Sequence, residues 1–407
     1  MIARAAPVEG KLLTPFVKVL LVIWALGTVA GLYRFTQGLG AATSMNDGYP
    51  WGIWIAIDVV VGTGLASGGY VLAFLVFILN KGRYHPLVRP ALLTSLLGYA
   101  VAGVAVTFDL GRYWSMWRIP VSPHLWSSTS VLLEVALCMM AYVTVIFLEL
   151  SPAWLEGLAA SRNPGRARLA ARWLPRAERA LPFLVAFGIL LPTMHQSSLG
   201  GLMMMAGLKL HPLWHTGFLP LYFLFTAFVM GFGVLYFESI FSSLAFGRPL
   251  EHRLLATLGR YVAGVIFAFL AVRFVVLGVE GKLGLLASAG RMGFFFWAEI
   301  AVFLLAAFRF LGQGAGPLAR PHHQLQAALL SMLGGTLYRI DVFLVAYNPG
   351  DGWVYFPSLA EILITLGLIA TETVVYVLLV RRFPILAGVS RPEQRTVPVG
   401  LQQGVTP

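Results

Sequence analysis

Asp58 sits inside the apolar run WIAIDVVVGTGLASGG, where a carboxylate has no water to solvate it. An ionisable group in such a segment is costly, so it must face protein or a water-filled cavity, and it is a functional-site candidate. The same argument singles out Glu134 in VLLEVALCMM, Asp109 and Arg112 at the end of TFDLGRYW, and His195 with Gln196 in LLPTMHQSSLGGLMMM. Pro192 removes a backbone donor just ahead of that last pair and is expected to break the helix there. His215 in HPLWHTGFLP and Arg339 with Asp341 in TLYRIDVFL reach a similar depth. Acids, an imidazole and an amide in one apolar layer suit a lipid-soluble quinone, whose two carbonyl oxygens want hydrogen-bond donors and whose reduction takes up protons. Blander readings stand beside this one. Helix packing alone explains the small residues after Asp58, and a structural ion pair would explain Asp109 and Arg112.

Below that layer, Glu299 and Arg273 lie at intermediate depth, and Glu372, Glu238 and Glu149 lie progressively nearer the other end. They form either a ladder for protons or a set of unconnected snorkelling side chains. Other redox chemistry is scarce. A transmembrane haem b needs axial histidines on facing helices at matched depth, and only His195 and His215 come near that. His85, His124, His211, His252, His322 and His323 fall in loops or at helix ends. The single cysteine, Cys138, excludes a disulfide framework or an iron–sulfur cluster built by this chain.

The elements that must carry these residues are membrane helices. Of 407 residues, 58% are hydrophobic and 11% charged, with a mean hydropathy of +0.80, which excludes a soluble enzyme and a disordered chain. The net charge of +12 belongs to basic loops at a membrane surface, so no nucleic acid is expected. A spanning helix needs about 20 apolar residues. Ten stretches qualify, near 13–33, 51–79, 88–110, 126–150, 181–204, 214–245, 255–278, 292–312, 324–346 and 357–380. The expected fold is therefore all-α, one polytopic ten-helix transmembrane bundle over residues 13–383, flanked by an N-terminal segment (1–12) and a tail (384–407). Lys and Arg concentrate in one set of alternate connections, above all Arg162, Arg166, Arg168, Arg172, Arg176 and Arg179. That set includes both termini, which are thus expected to be cytoplasmic. The opposite loops share Trp with Gly, Pro, His and Asp (MNDGYPWGIW, DLGRYWSMW, SPHLWS, LKLHPLWH, YNPGDGWVYFP) and have the character of a docking face or a cavity rim.

From Leu32 to Leu386 the chain resembles the NrfD/polysulfide reductase family of membrane subunits of bacterial respiratory complexes, and within it the type that serves periplasmic nickel–iron hydrogenase type 2. The resemblance is carried by DGYPWGIWIAIDVVVGTGLASGG, KGRYHPLVRPALLTSLLGYAVAG, TFDLGRYW, LLPTMHQSS, HPLWHTGFLPLYFLFTAFVMGF and AYNPGDGWVYFPSLAEILIT. It implies a haem-free subunit of the bacterial inner membrane. Electrons would arrive from a periplasmic ferredoxin-like iron–sulfur subunit, itself fed by the hydrogenase small and large subunits, and pass to menaquinone or ubiquinone near the periplasmic face. Carried onto the matched stretches, the expected quinone-binding residues are Trp51, Asp109, Arg112 and Gln196, with Asp58 and His195 as hydrogen-bonding or protonating groups. Glu134 joins them on depth. A sibling reading keeps the fold and reverses the electrons, making the chain a quinol-oxidising anchor of a polysulfide, tetrathionate, nitrite or sulfite-linked reductase. A secondary transporter would instead show inverted repeats with paired broken helices.

Overall fold

The computed structural model describes residues 5–247, 252–313, 321–350 and 352–387. Arg248 and Arg320 of the basic loops, Asp351 of the DGW motif and most of the expected tail lie outside them. Ten helices among the described residues are long and apolar enough to cross a bilayer. They are α1 (Pro15–Gln37), α2 (Trp54–Ile78), α3 (Gly82–Asp109), α4 (Val131–Ala159), α5 (Pro164–Met204), α6 (Leu219–Phe246), α7 (Leu254–Val279), α8 (Arg291–Leu311), α9 (Pro321–Val345) and α10 (Leu359–Arg382). Each coincides with an expected span. Backbone groups in hydrocarbon must be satisfied within their own segment, and the helix is the form that does so.

Helices α2 to α5 pack in a closed ring, and α6 to α9 form a second one. The rings meet where α2 lies against α6 and α9 and where α5 lies against α6, while α1 and α10 run together along the outside of α3. Glycine sets the closest crossings. A Cβ on Gly27 would fall 2.7 Å from the Cα of Gly367, so α1 and α10 touch backbone to backbone. A Cβ on Gly231 of α6 would come within 2.9 Å of the Ser67 backbone of α2, which closes the contact between rings. Packing thus accounts for part of the small-residue run after Asp58.

The segment ahead of the first span meets the end of the last span and the residues after it at one end of the bundle. Ala6 N–H donates to the Leu386 carbonyl (3.1 Å) and Val8 N–H to that of Val380 (3.0 Å). At the other end, called the rim here, the loops around residues 43–53, 110–130, 205–218 and 346–358 gather. The Asn46 side chain donates to Val354 O (3.0 Å), the Tyr49 hydroxyl to Tyr347 O (3.1 Å) and Asn348 N–H to Lys209 O (2.7 Å).

Helix continuity differs from expectation. Pro192 does not break α5, which runs unbroken for 41 residues, about 60 Å at 1.5 Å per residue. The interruptions lie elsewhere. In α2, π-helical turns at Trp54–Val61 and Phe74–Ile78 flank a turn at Ala66 and Ser67, and α9 ends in a π-helical turn at Asp341–Val345. Helix α4 starts at Val131 rather than near 126, so Glu134 falls in its first turn, where a carboxylate complements the helix dipole.

Leucine at Gly27 should force α1 and α10 apart, since overpacking of this kind costs about 1–3 kcal/mol. We expect Gly27→Leu to lower the thermal midpoint of the detergent-solubilised protein by several degrees. Gly40→Ala, where a Cβ meets open space, should leave it in place. Equal midpoints for the two variants would refute the close crossing.

Candidate functional site

The π-helical start of α2 gives that helix two polar faces with different surroundings. Asp58, Gly62, Leu65 and Ala66 recur at helical spacing and line a cavity of about 570 Å³ between α1, α3, α6 and α10. Val60, Thr63, Gly64 and Ser67 turn the other way, into the junction between the rings.

The cavity is mainly apolar, with Ile57, Val101, Phe237, Phe241 and Ile369 among its walls. At its surface edge Phe16 and Phe241, both about half exposed, stand with ring centroids 6.4 Å apart. Three carboxylates line it. Asp58, 6% exposed, accepts a hydrogen bond from the Thr365 hydroxyl at 2.8 Å. Glu372 belongs to the same cavity as Asp58. Glu238 accepts from the Tyr376 hydroxyl at 2.5 Å. Counted from the rim ends of their helices, Asp58, Glu372 and Glu238 stand about 6, 20 and 28 Å down. The cavity is therefore a mainly apolar slot that runs along the helix axes, with its carboxylates at three levels.

The opposite face of α2 holds Arg339, which is fully buried. Its guanidinium donates to the Val60 carbonyl (2.5 Å), the Gln196 side-chain oxygen (2.7 Å) and the Phe223 carbonyl (3.0 Å), and lies over the Phe223 ring. Gly64 makes the space, since a Cβ there would fall 2.8 Å from the guanidinium carbon. The amide nitrogen of Gln196 then donates to the hydroxyls of Thr63 (3.0 Å) and Tyr99 (3.1 Å). Beside it, His195 Nδ1 bonds the Val135 carbonyl at 3.1 Å, which makes Nδ1 the protonated nitrogen, and Nε2 is buried without a partner. His195 and Gln196 thus share one enclosed layer, separated from Asp58 by the body of α2.

The remaining expected residues are at the rim. Trp51 donates its indole N–H to Phe343 O (3.2 Å) and packs on Tyr347. Asp109 accepts from Gly52 N–H at 3.4 Å. No ion pair joins it to Arg112, which is exposed. Arg34 instead closes the end of α3, donating to Phe108 O and Leu110 O at 2.8 Å each. Glu361, in a capping box with Ser358, accepts from Ser44 N–H (3.0 Å) and from the Tyr355 hydroxyl (2.6 Å). Burial and then the Glu361 carboxylate push the Tyr355 hydroxyl far above the ordinary phenol range, so it stays a donor at any physiological pH. Glu134 is half-buried at the start of α4.

Of the seven expected residues, the structure pairs His195 with Gln196 and brings Trp51 and Asp109 to one rim corner, where Asp109 is bonded to the residue that follows Trp51. Only Asp58 lines the cavity. Sequence reasoning missed Thr365, Thr63, Tyr99 and Arg34. The hydroxyls carry no signal of their own, and Arg34 read as a loop residue because it directly follows an apolar run. Glu361 was legible, since Ser-x-x-Glu ahead of an apolar run marks a helix start.

Comparison with known proteins bears on this geometry. The family model "Polysulphide reductase, NrfD" matches residues 41–348. An Escherichia coli protein named as a probable Ni/Fe-hydrogenase 2 b-type cytochrome subunit is 38% identical over 384 residues, covering 93% of this chain and 94% of its own. The integral membrane subunit of a menaquinone reductase from Nitratidesulfovibrio vulgaris is 27% identical over 185 residues, 44% of this chain and 41% of that one. A putative membrane subunit of a dimethyl sulfoxide reductase from Halobacterium salinarum is 25% identical over 424 residues, 92% of each. With ten spanning helices and a family match across most of its length, this chain belongs to the NrfD family and is a multi-pass membrane subunit of an oxidoreductase complex.

Proposed function

We propose that this chain is the quinone-reactive subunit of a periplasmic nickel–iron uptake hydrogenase in a bacterial inner membrane, taking electrons at its rim from a ferredoxin-like iron–sulfur subunit and delivering them to menaquinone or ubiquinone. The hydrogenase small and large subunits stand behind that partner. The observation that carries the proposal is the slot below Asp58: apolar walls of the right length for an isoprenoid, and carboxylates where the ring's oxygens need protons. The hydrogenase and menaquinone reductase named among the relatives support the same chemistry.

In this scheme quinone enters from lipid past Phe16 and Phe241, with its ring near Asp58 and Thr365. Asp58 protonates or hydrogen-bonds one carbonyl oxygen, and the Thr365 hydroxyl keeps the carboxyl aimed. Trp51 and Asp109 occupy the rim corner that electrons must cross. His195 and Gln196 act one layer behind, through α2, with the free Nε2 of His195 as a proton acceptor. Arg112, exposed at the rim, is assigned to the partner's docking face, and Glu134 to proton exchange at the head of α4. Glu372 and Glu238 continue the cavity towards the far end, so protons drawn from the cytoplasm through them would store charge across the membrane.

Haem has no place in this scheme. The E. coli relative's name includes a b-type cytochrome, but the residues here do not fit one. Two axial ligands must face each other across helices. Among the described residues His195 is the one histidine buried within a span, so no second imidazole faces it across the bundle. The dimethyl sulfoxide reductase relative favours a sibling reading with the same slot, in which quinol is oxidised and electrons leave through the rim.

Asp58→Asn keeps the shape of the side chain and removes its proton. In the purified complex we expect it to slow hydrogen-driven quinone reduction by about a hundredfold, the usual contribution of a positioned acid. Reduction of a soluble dye at the partner should continue at the parental rate. Parental quinone turnover in this variant would move the site away from the slot.

Glu372→Gln tests the proton source. In sealed vesicles with a field-sensitive dye, the charge separated per hydrogen oxidised should drop towards zero if protons climb past Glu372. Charging equal to the parent's would remove Glu372 from the proton route, and a parent that separates no charge at all would assign proton uptake to the rim side.

A further inference from the structure

The second ring contains a polar cluster that the slot does not use. Arg273 of α7 and Glu299 of α8 form an ion pair, their side chains 2% and 0% exposed. The other oxygen of Glu299 accepts from the Trp214 indole N–H at 3.2 Å. The Arg273 guanidinium lies 4.4 Å from the Phe296 ring centroid and 5.1 Å from that of Tyr338. Asp341 of α9, 2% exposed, follows Tyr338 by three residues and so continues the face of α9 that meets Arg273, within electrostatic reach of both members of the pair. Its carboxylate has no hydrogen-bond partner among the described residues.

Two features of this cluster need explaining. Three buried polar atoms, Arg273 Nη2, Tyr222 Oη and Tyr338 Oη, have no hydrogen-bond partner among the described residues. Buried polar groups left without protein partners are ordinarily bridged by ordered water, and three of them together suit a small internal water cluster. The second is the charge count. Two carboxylates share one guanidinium, so full ionisation would leave an uncompensated negative charge in an apolar interior, which is strongly disfavoured. Arg339, two residues from Asp341, does not relieve it, since its guanidinium is committed to Val60, Gln196 and Phe223 on the opposite side of α9.

An exit is present as well. Tyr222 packs edge-on against Phe269 (5.7 Å) and Tyr338 (6.5 Å), the two rings that also lie against the Arg273 guanidinium, and it feels the charge of Glu280 as well. Glu280, at the rim and 28% exposed, accepts from the Thr216 hydroxyl (2.7 Å) and from Lys282 (2.6 Å), and Lys282 also donates to His215 O (2.6 Å). Burial raises the Glu280 carboxyl, but the bonds from Lys282 and Thr216 outweigh it and hold the group below its ordinary value. It is therefore an ionised acceptor in contact with water.

We propose that Arg273, Glu299 and Asp341 form a hydrated proton-binding site inside the second ring, separate from the quinone slot and connected to the rim surface through Tyr222 and Glu280. The site holds one proton, shared between the two carboxylates. That proton comes from bulk water at the rim and returns to it, with nothing oxidised or reduced. Trp214 fixes Glu299, which leaves Asp341 as the group free to change state.

Infrared difference spectroscopy on the purified complex in lipid nanodiscs tests this without any quinone turnover, so its outcome is independent of the slot. The parent should show a buried carboxylic-acid carbonyl band that shifts in heavy water. Asp341→Asn and Glu299→Gln each leave one carboxylate against Arg273, so each should abolish that band. Arg273→Met removes the cation and should double it. Tyr222→Phe should keep the band and slow its hydrogen–deuterium exchange at least several-fold. A parent-minus-Asp341→Asn spectrum with no lost acid band would overturn the site, and so would persistence of the band in Glu299→Gln if Asp341→Asn does not fold. Unchanged exchange in Tyr222→Phe would overturn the exit.

Discussion

Arg339 is the residue around which the two rings are assembled. A guanidinium at this depth cannot reach water and has no carboxylate among its hydrogen-bond partners, so its charge is spread over carbonyl oxygens and the amide of Gln196. Each of those acceptors comes from a different helix: Val60 from α2, Gln196 from α5, Phe223 from α6. Removing any of them leaves a buried cation short of a partner, which ordinarily costs several kcal/mol. The cation therefore holds three helices of two rings in one register, in a medium where apolar contact between helices supplies little preference for any register.

That demand shapes α2. A regular α-helix spends its carbonyls on its own ladder, whereas the wide turns at Trp54–Val61 rearrange the ladder just where Val60 must accept from Arg339. The same distortion turns Asp58 to the opposite side, into the slot beside Thr365. One local irregularity thus serves two ends: the face towards the ring junction fixes the scaffold, and the face towards α10 presents an acid to the lipid-accessible cavity. Helix α9 is divided in the same manner. Arg339 enters the junction, and Asp341, at the start of the π turn, is within electrostatic reach of the Arg273–Glu299 pair.

How much of this was legible in the sequence follows from which physical term decides each feature. Hydropathy is a property of single segments, so all ten spans could be read directly. Residues 164–180, the first part of α5, escaped because Arg166, Arg168, Arg172, Arg176 and Arg179 mask a helical pattern that continues the span beyond the bilayer. Pro192 misled for a related reason. The sequence shows the missing donor but not the packed surroundings that tolerate it, here a buried Pro192 followed by Thr193 bonding back to Ile189 O at 2.7 Å. The true interruptions, in α2 and α9, contain no proline. They arise from the needs of Arg339 and of the rim, which are tertiary and leave no local mark.

The candidate site divides along the same line. That Asp58, His195 and Gln196 must each be met by protein was visible from the cost of putting them in hydrocarbon, and so was their common depth. Depth, however, fixes only one coordinate of three. Whether two groups at one level face each other depends on rotation about each helix axis, and here Asp58 and Gln196 lie on opposite sides of α2, with Thr63 as the intermediary. The pairing of Asp109 with Arg112 failed for the same reason: past the end of α3 the chain leaves helical geometry at Leu110, so spacing no longer predicts contact, and Arg34 from α1 closes that helix end. A polar residue in a membrane helix is thus a strong statement that something must meet it and a weak statement about what does.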